Sequence, residues 1–394
     1  MSWPLTNLDD LLDDIQPGFA SGQNESDGVL QVRMNNVKPD GSWDWSKERR
    51  VPATLKQLDK YSLQSGDILF NTTNSPEQVG KSALFQGADE PVSFSNHFLR
   101  LRVKKSKLSE SYLTRYFAFL WQRKVFENMV DTWVNQATVQ RDSFLALKIP
   151  LPPLAEQKRI AAILDKADIL RRKNQQAIQL ADQFLRAVFL DLFGDPMTNP
   201  KGWERCKFES LIDMVTYGLT VRPEYLAEGV PLISAREIRS GQINFDGAPK
   251  ISEKDFEKLS EKARPNFQDI LFSKTGSIGH CAIVESNLKF AVTQNAARIV
   301  PNTEKCEPLF LLSLLRTNYF FDLANREAKG NAVKDLQLGV MKEFPVYAPP
   351  MDIQRKYAEI FKRIKNLSSM NFDAQLDGNE LFNSISQRAF AGEL

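Results

Sequence analysis

The sequence predicts an α+β chain built by duplication: a mixed domain, a long helix, a second mixed domain and a second long helix, the long helices forming an antiparallel coiled coil. Three observations carry this. Short motifs recur in the same order about 197 residues apart; both halves close on a Pro-Pro pair followed by a long amphipathic segment; and within each half strand-like runs precede helical ones. That period is far too long for a solenoid, so it marks a duplicated domain with its spacer.

The repeat is visible residue by residue. Gly66-Asp67-Ile68-Leu69-Phe70, followed by Gly80 and Ala83-Leu84-Phe85, parallels Gln268-Asp269-Ile270-Leu271-Phe272, followed by Gly276, Gly279 and Ala282-Ile283-Val284. Downstream, Asn135 to Val139 parallels Gly330 to Lys334, and Ile149-Pro150 parallels Phe344-Pro345. Strands are expected at Val29 to Arg33, Ile68 to Asn71, Phe98 to Val103, Pro231 to Ser234, Ile270 to Ser273 and Ala297 to Val300. Amphipathic helices are expected at Tyr112 to Val130 and Pro308 to Asn325.

Leu151-Pro152-Pro153-Leu154-Ala155-Glu156-Gln157 and Ala348-Pro349-Pro350-Met351-Asp352-Ile353-Gln354 punctuate the halves. Pro-Pro forces extended backbone upstream and suits the edge of a first helical turn. After the first pair, Ile160, Leu164, Ala167, Arg171, Asn174, Ile178, Ala181, Leu185, Val188 and Leu192 recur at alternating steps of three and four, a coiled-coil seam. The second segment repeats this through Ile353, Tyr357, Ile360, Ile364 and Leu367, weakens near Gly378, and resumes at Leu381 and Ile385. Each helix packing only on its own domain is the plainer reading. Two helices of similar length and placement are better explained by antiparallel pairing of 154–193 with 351–390, with Arg171 and Asn174 fixing register. The domains are accordingly 1–153, a spacer 154–195, 196–350 and a spacer 351–394.

Composition narrows the function without naming it. At 394 residues, with 42% hydrophobic and 25% charged, the chain has the balance of a folded protein. No basic leader or long apolar span appears, so a cytoplasmic, membrane-free protein is expected. Three cysteines without CxxC spacing, Cys206, Cys281 and Cys306, read as buried free thiols rather than a zinc site. A net charge of +2 is small for nucleic-acid binding, and the halves are balanced at about 18 basic and 18 acidic groups in 1–153, and about 20 and 19 in 201–350. Any basic face must come from segregation.

The duplicated plan, the Pro-Pro-x-x-x-Gln openings of both long helices and the terminal Gln387-Arg388-Ala389-Phe390-Ala391-Gly392-Glu393-Leu394 resemble Type I restriction-modification specificity subunits. The resemblance covers essentially the whole chain. It is strongest in the helices, in Tyr217-Gly218-Leu219-Thr220-Val221-Arg222, in Asp269-Ile270-Leu271-Phe272 with its following glycines, and in Gly330-Asn331-Ala332-Val333. It implies two target-recognition domains reading one split site in double-stranded DNA, and helices that space them and bind two methylation subunits, with restriction subunits joining the full complex. It also leaves S-adenosylmethionine, ATP and magnesium to those partners, so the chain is expected to need no cofactor and to catalyse nothing.

Sequence-specific readout needs Arg, Lys, Asn or Gln at base edges and further cations on phosphates. In the first half Lys47, Arg49, Arg50, Lys81 and Arg141 are the candidates; in the second they are Arg222, Arg236, Arg239, Lys274 and Lys334, in or near glycine-rich turns.

Catalytic patterns fail on inspection. The Pro-Pro pairs lack the preceding Asn or Asp by which an adenine methylase holds its base. Gly80-Lys81-Ser82 imitates the end of a phosphate loop, but Ser75 stands where the earlier glycine belongs, and Gly279-His280-Cys281 occupies the same place in the repeat, so a shared turn glycine explains it. Asp322 with Glu327 and Lys329 superficially resembles a nuclease set on a predicted helix, and His97 and His280 lack triad partners. The competing classes are a solitary nuclease or methylase with drifted motifs, and a coiled-coil scaffold for protein-binding domains.

Overall fold

The computed structural model describes residues 3–133, 136–220, 223–330 and 332–394, with the side chains of 132–133 and 368–380 outside the description. The chain divides into two compact units, Met1–Gln175 with Asp373–Leu394, and Gln176–Phe372. Each unit therefore holds one mixed domain and half of each long helix.

The two domains share one frame. In the first unit a four-stranded antiparallel sheet runs in the order Leu12–Pro17, Phe98–Val103, Ile68–Asn71, Ser82–Leu84. In the second, Ile212–Tyr217, Ala296–Pro301, Ile270–Ser273 and Cys281–Ile283 repeat that order. Even the register irregularity recurs, between Leu12 and Asp14 and between Ile212 and Met214. Beside each sheet lies a small mixed one: Arg50–Val51, Val29–Val32 and Val92–Phe94 in the first, and Lys250–Ile251, Val230–Ile233 and Ala291–Val292 in the second. A two-stranded ribbon then ties each domain's start to its end, Leu5–Asn7 with Lys148–Pro150, and Arg205–Lys207 with Pro345–Tyr347.

The apolar runs read from the sequence are buried on both faces. Ile68 and Phe70 enter a core with Leu101, Leu113 and Phe117, while Leu69 between them faces a second core with Val32, Phe85 and Phe94. Ile270 and Phe272 against Leu271 do the same in the second unit. Burial of both faces is why these strands are continuously hydrophobic rather than alternating.

The expected helices are interrupted. Tyr112 to Val130 resolves into a helix Glu110–Gln122, a residue Lys124 at φ +59°, a 3-10 turn Phe126–Met129 and a strand beginning at Val130. Pro308 to Asn325 resolves into Pro308–Leu315 and Asn318–Glu327, because the Thr317 hydroxyl accepts from the Phe320 N–H at 3.3 Å and caps a new helix.

Two helices, Leu154–Phe193 and Met351–Ala391, have 40 and 41 residues, each about 60 Å long at 1.5 Å per residue. They are antiparallel. In the first unit Ile160, Ala161 and Leu164 share a core with Phe382, Ala389 and Phe390, and Arg159 Nη2 donates to the Leu394 carbonyl at 3.3 Å. In the second, Phe189 and Phe193 place their rings 5.7 and 5.4 Å from that of Tyr357. These ends also enter the domain cores, so packing on the domain and packing on the partner helix are the same apolar surface. The backbone stays helical through Gly378, where the sequence pattern weakens.

The Pro-Pro-x-x-x-Gln motif now has a physical reason. Gln157 Oε1 accepts from the Ser109 N–H at 2.8 Å, and its Nε2 donates to the Lys107 and Pro152 carbonyls, both at 2.9 Å. Gln354 repeats this with the Glu307 N–H at 2.8 Å and the Lys305 and Pro349 carbonyls at 3.2 and 2.7 Å. Ser109 and Glu307 precede the helices Glu110–Gln122 and Pro308–Leu315, whose free N–H groups need an acceptor. Each fully buried glutamine thus caps a neighbouring helix and closes the turn that starts its own.

Candidate nucleic-acid interface

In the first unit the loops that follow Leu12–Pro17, Val29–Val32, Ile68–Asn71 and Val92–Phe94 surround a cavity of about 1020 Å³. Its charged lining is Arg33, Lys38, Lys47, Arg49 and Lys81 against Asp44, with Gln31, Asn35, Asn74, Gln78, Asn96 and His97 as the principal neutral donors and acceptors. Three of the sequence candidates, Lys47, Arg49 and Lys81, therefore converge.

Local structure explains why. Gly18 ends the first strand where a Cβ would collide with the backbone carbonyls of Phe94 and Ser95, so only glycine lets the chain pass. Gly218 stands in the same relation to Val292 in the second unit, which accounts for the glycine of the Tyr217-Gly218 segment. Asn36, 3% exposed, accepts from the Arg33 N–H at 2.9 Å and donates to the Asp44 and Lys47 carbonyls at 2.9 and 3.1 Å, pinning the two arms of one loop together. Lys81 Nζ donates to the Val37 and Met34 carbonyls at 2.9 and 3.3 Å. It is buried, so its ammonium acts mainly as a strut beneath the loop rather than as a surface contact.

The cavity is electropositive and under-compensated. Burial, then the charge of Lys47, depresses the Lys81 pKa; burial, then the charge of Arg49, depresses that of Arg33. Asp44 is held below the usual carboxylate range chiefly by the Ser46 hydroxyl at 2.5 Å, and Lys47 is 3.9 Å from it. Arg49 Nη2 donates to the Ser21 carbonyl at 3.0 Å, fixing the first loop.

The other candidates are placed differently. Arg50 turns to Glu90 in a bidentate pair, both bonds 2.7 Å, which raises its pKa, and it does not line the cavity. Arg141 is exposed and opens a short helix, Arg141–Leu145, anchored by buried Phe144. In the second unit Lys274 is nearly buried, 2.5 Å from Asp335 Oδ1 and 5.6 Å above the Tyr217 ring. Burial raises the Asp335 pKa, but its bonds to Lys274 and Thr275 outweigh that and leave it lowered. Arg236 is 81% exposed and 3.7 Å from Glu237. Arg239 and Lys334 are exposed, and the Lys334 carbonyl accepts from the Gly276 N–H at 2.8 Å. Arg222 lies outside the described residues, as do Asn135 and Asn331.

Arg33 and Lys38 escaped the sequence reading although they follow the strand equivalent to the one before Arg236 and Arg239. Aligning the loop after Val29–Val32 with that after Val230–Ile233 would have found them.

The motifs set aside as chemistry are structural here. Gly80 and Gly279, with φ of +85° and +103°, pass against the Phe126 and Phe321 rings, where a side chain would clash. Asp322 and Glu327, five positions apart on Asn318–Glu327, point about 140° apart at 100° per residue. Among the described residues no helix is long and apolar enough to cross a membrane.

A model of the family described as Type I restriction modification DNA specificity domain matches residues 32–180 and 200–373, and the chain belongs to that family. It is 26% identical over 385 residues to the type I restriction enzyme MjaX specificity subunit of Methanocaldococcus jannaschii, covering 93% of this chain and 87% of that one. With the EcoBI specificity subunit of Escherichia coli it is 24% identical over 434 residues, covering 100% and 86%. The crystal structure of the S subunit of the Type-I restriction-modification system from M. genitalium has the same fold, at TM-score 0.65 and 15% identity, with 99% of this chain and 96% of that chain covered. A chain from a structure on complex assembly and conformational transition of the type I R-M system aligns at TM-score 0.51 and 16% identity, covering 100% and 98%.

Proposed function

We propose that this specificity subunit reads a bipartite site in double-stranded DNA through two recognition domains, 1–153 and 196–350, while 154–195 and 351–394 space them and dock two methylation subunits. Restriction subunits join the same complex in this reading, and catalysis belongs to the partners. The observation that carries it is the duplication itself: one frame occurs twice, and in each copy basic side chains gather on the loops after equivalent strands. Two separately folded readers contribute separable base contacts. Within the sites, Lys47, Arg236, Arg239 and Lys334 are exposed and reach DNA, Arg49 faces the cavity while anchoring its first loop, Lys81 and Lys274 shape the loops, Arg50 and Arg141 lie on the flanks, and Arg222 is carried by the resemblance of its segment alone.

Exposed apolar side chains along the first long helix, among them Ile169, Leu170, Leu180 and Phe184, support the docking role. Methylome sequencing of cells expressing the chain with its methylation subunit tests the whole reading. One modified split motif is expected, and exchanging 201–345 for the corresponding domain of another such subunit changes one half of it. A change in both halves, or an unsplit motif, overturns the two-reader arrangement.

A further inference from the structure

Two arginines line the cavity: Arg49, which donates to the Ser21 carbonyl, and Arg33. Arg33 follows the strand Val29–Val32, is half-buried, and among the described residues no acceptor takes a hydrogen bond from its guanidinium; its Nε is buried and unsatisfied. Its backbone is nonetheless fixed by Asn36, and the loop beyond it by Lys81. The site is rigid and its donors are unspent. Beside it the Ser95 N–H donates to the Val32 carbonyl at 2.9 Å, while the Ser95 hydroxyl, 5% exposed, lines the cavity with no partner. The equivalent hydroxyl in the second unit, Thr293 Oγ1, is buried and unpartnered too, and its N–H makes the same bond to Ile233.

A buried donor left unsatisfied costs stability, so a rigid pair of them inside a cavity marks a place where a ligand completes the bonding. The exposed Lys38 and Lys47 suit phosphates, which need charge and little geometry. A half-buried, planar guanidinium among amide side chains suits a ligand that offers two acceptors in a fixed plane. The Arg49 charge beside it further disfavours its empty state.

We propose that Arg33 is a specificity-determining residue that donates two hydrogen bonds to O6 and N7 of a guanine in the half-site read by the first domain, with the Ser95 hydroxyl as the second polar contact. This rests on the two-reader function above. The matching position in the second domain is Ser234, whose hydroxyl is bound to Glu237 at 2.6 Å, so the contact belongs to one half-site alone.

The test uses the complex with its methylation subunit. Domain exchange first assigns the half-site of the first domain, and that half must contain a guanine; its absence overturns the proposal. In Arg33→Ala the methylated motif loses its requirement for guanine at one position, while the other half-site is unchanged and reports an intact fold. Binding of a duplex carrying the motif falls about 5- to 150-fold. Replacing that guanine by 7-deazaguanine weakens the wild-type complex and leaves Arg33→Ala unaffected. If Arg33→Ala instead weakens all duplexes equally and lowers the salt slope by about one, Arg33 holds a phosphate and the proposal is wrong. Arg33→Lys, which keeps charge but not the planar fork, is expected to lose the guanine preference as Arg33→Ala does while retaining the wild-type salt slope. A wild-type complex that methylates no split motif overturns the underlying function, a separate outcome from an Arg33 variant that retains the full motif.

Discussion

The first and second domains use the same frame and spend their charges differently. In the second, buried Asp269 is held by Arg298 at 2.6 Å, and Arg298 also donates to the Glu261 carbonyl. In the first, the equivalent Asp67 is held by Arg102 at 2.7 Å, while Arg100 turns to Asp14 at 2.6 Å. At the loops beyond these strands the first domain packs cations around a cavity, whereas the second pairs Lys274 with Asp335 and leaves Arg236 in solvent. The sheet order and the glutamine clamps recur in both domains, while the ion pairs and the loops differ.

The largest expected effect separates the two ion-pair arrangements. Arg298→Ala strands the buried Asp269 carboxylate and costs about 3–5 kcal/mol. Arg100→Ala costs about 1–2 kcal/mol, since Asp67 keeps Arg102 and Asp14 is part-exposed. Hydrogen exchange on peptides from each domain of the full chain reads both; equal losses would break the distinction.

The glutamine clamps carry the opposite expectation. Gln157→Ala and Gln354→Ala each leave one buried N–H and two carbonyls unmet and cost about 2–3 kcal/mol. Because the three bonds are the same in both halves, the two losses should match in urea unfolding. A difference above about 1 kcal/mol would show that the frames are not equivalent.

An acid limb belongs to the first unit. Asp168, 2% exposed on the first long helix, is reached by Arg115, Arg171 and Arg172 at 3.0, 2.7 and 2.8 Å. Burial raises its pKa, but the Arg171 bond and the charges of Arg115 and Arg172 outweigh that, and it ends lowered. A lowered folded pKa gives stability that is fully present above the unfolded value of about 3.9 and is lost as pH falls through the folded value. Asp168→Asn should lower stability at neutral pH and flatten its decline below about pH 4. The equivalent position in the second helix is Lys365, which pairs with Glu285, so hydrogen exchange of second-unit peptides should be the same in that variant as in the wild type.

The smallest effect concerns phosphate contacts. Lys47→Gln should leave stability unchanged, since its side chain is 55% exposed, and reduce the salt slope of DNA binding by about 0.9. An unchanged slope would remove Lys47 from the interface and shift weight to Lys38.

Much of this was legible in the chain. The strands Ile68–Asn71, Phe98–Val103 and Ile270–Ser273 fall where the apolar runs put them, because strands buried on both faces are continuous in sequence. The long helices and their antiparallel pairing follow from the seam and the duplication. The breaks at Lys124 and Thr317 were hidden, since a turn inside an amphipathic stretch leaves the period nearly intact.

Charge was the least legible property. Seam position Arg171 bonds Asp168 on its own helix and lies 5.4 Å over the Phe382 ring, a contact its spacing alone does not name. Lys81 and Lys274 look like solvent-facing cations in glycine-rich turns, yet both are buried, because their long stems reach carbonyls or a carboxylate distant in sequence. The family, the duplication and the order of elements were determined by the sequence, since local periodicity and repeated motifs encode them directly. Which cations stay unpaired, and so that Arg33 rather than Arg50 faces the cavity, was decided only by the tertiary structure, because pairing depends on side chains tens of residues away.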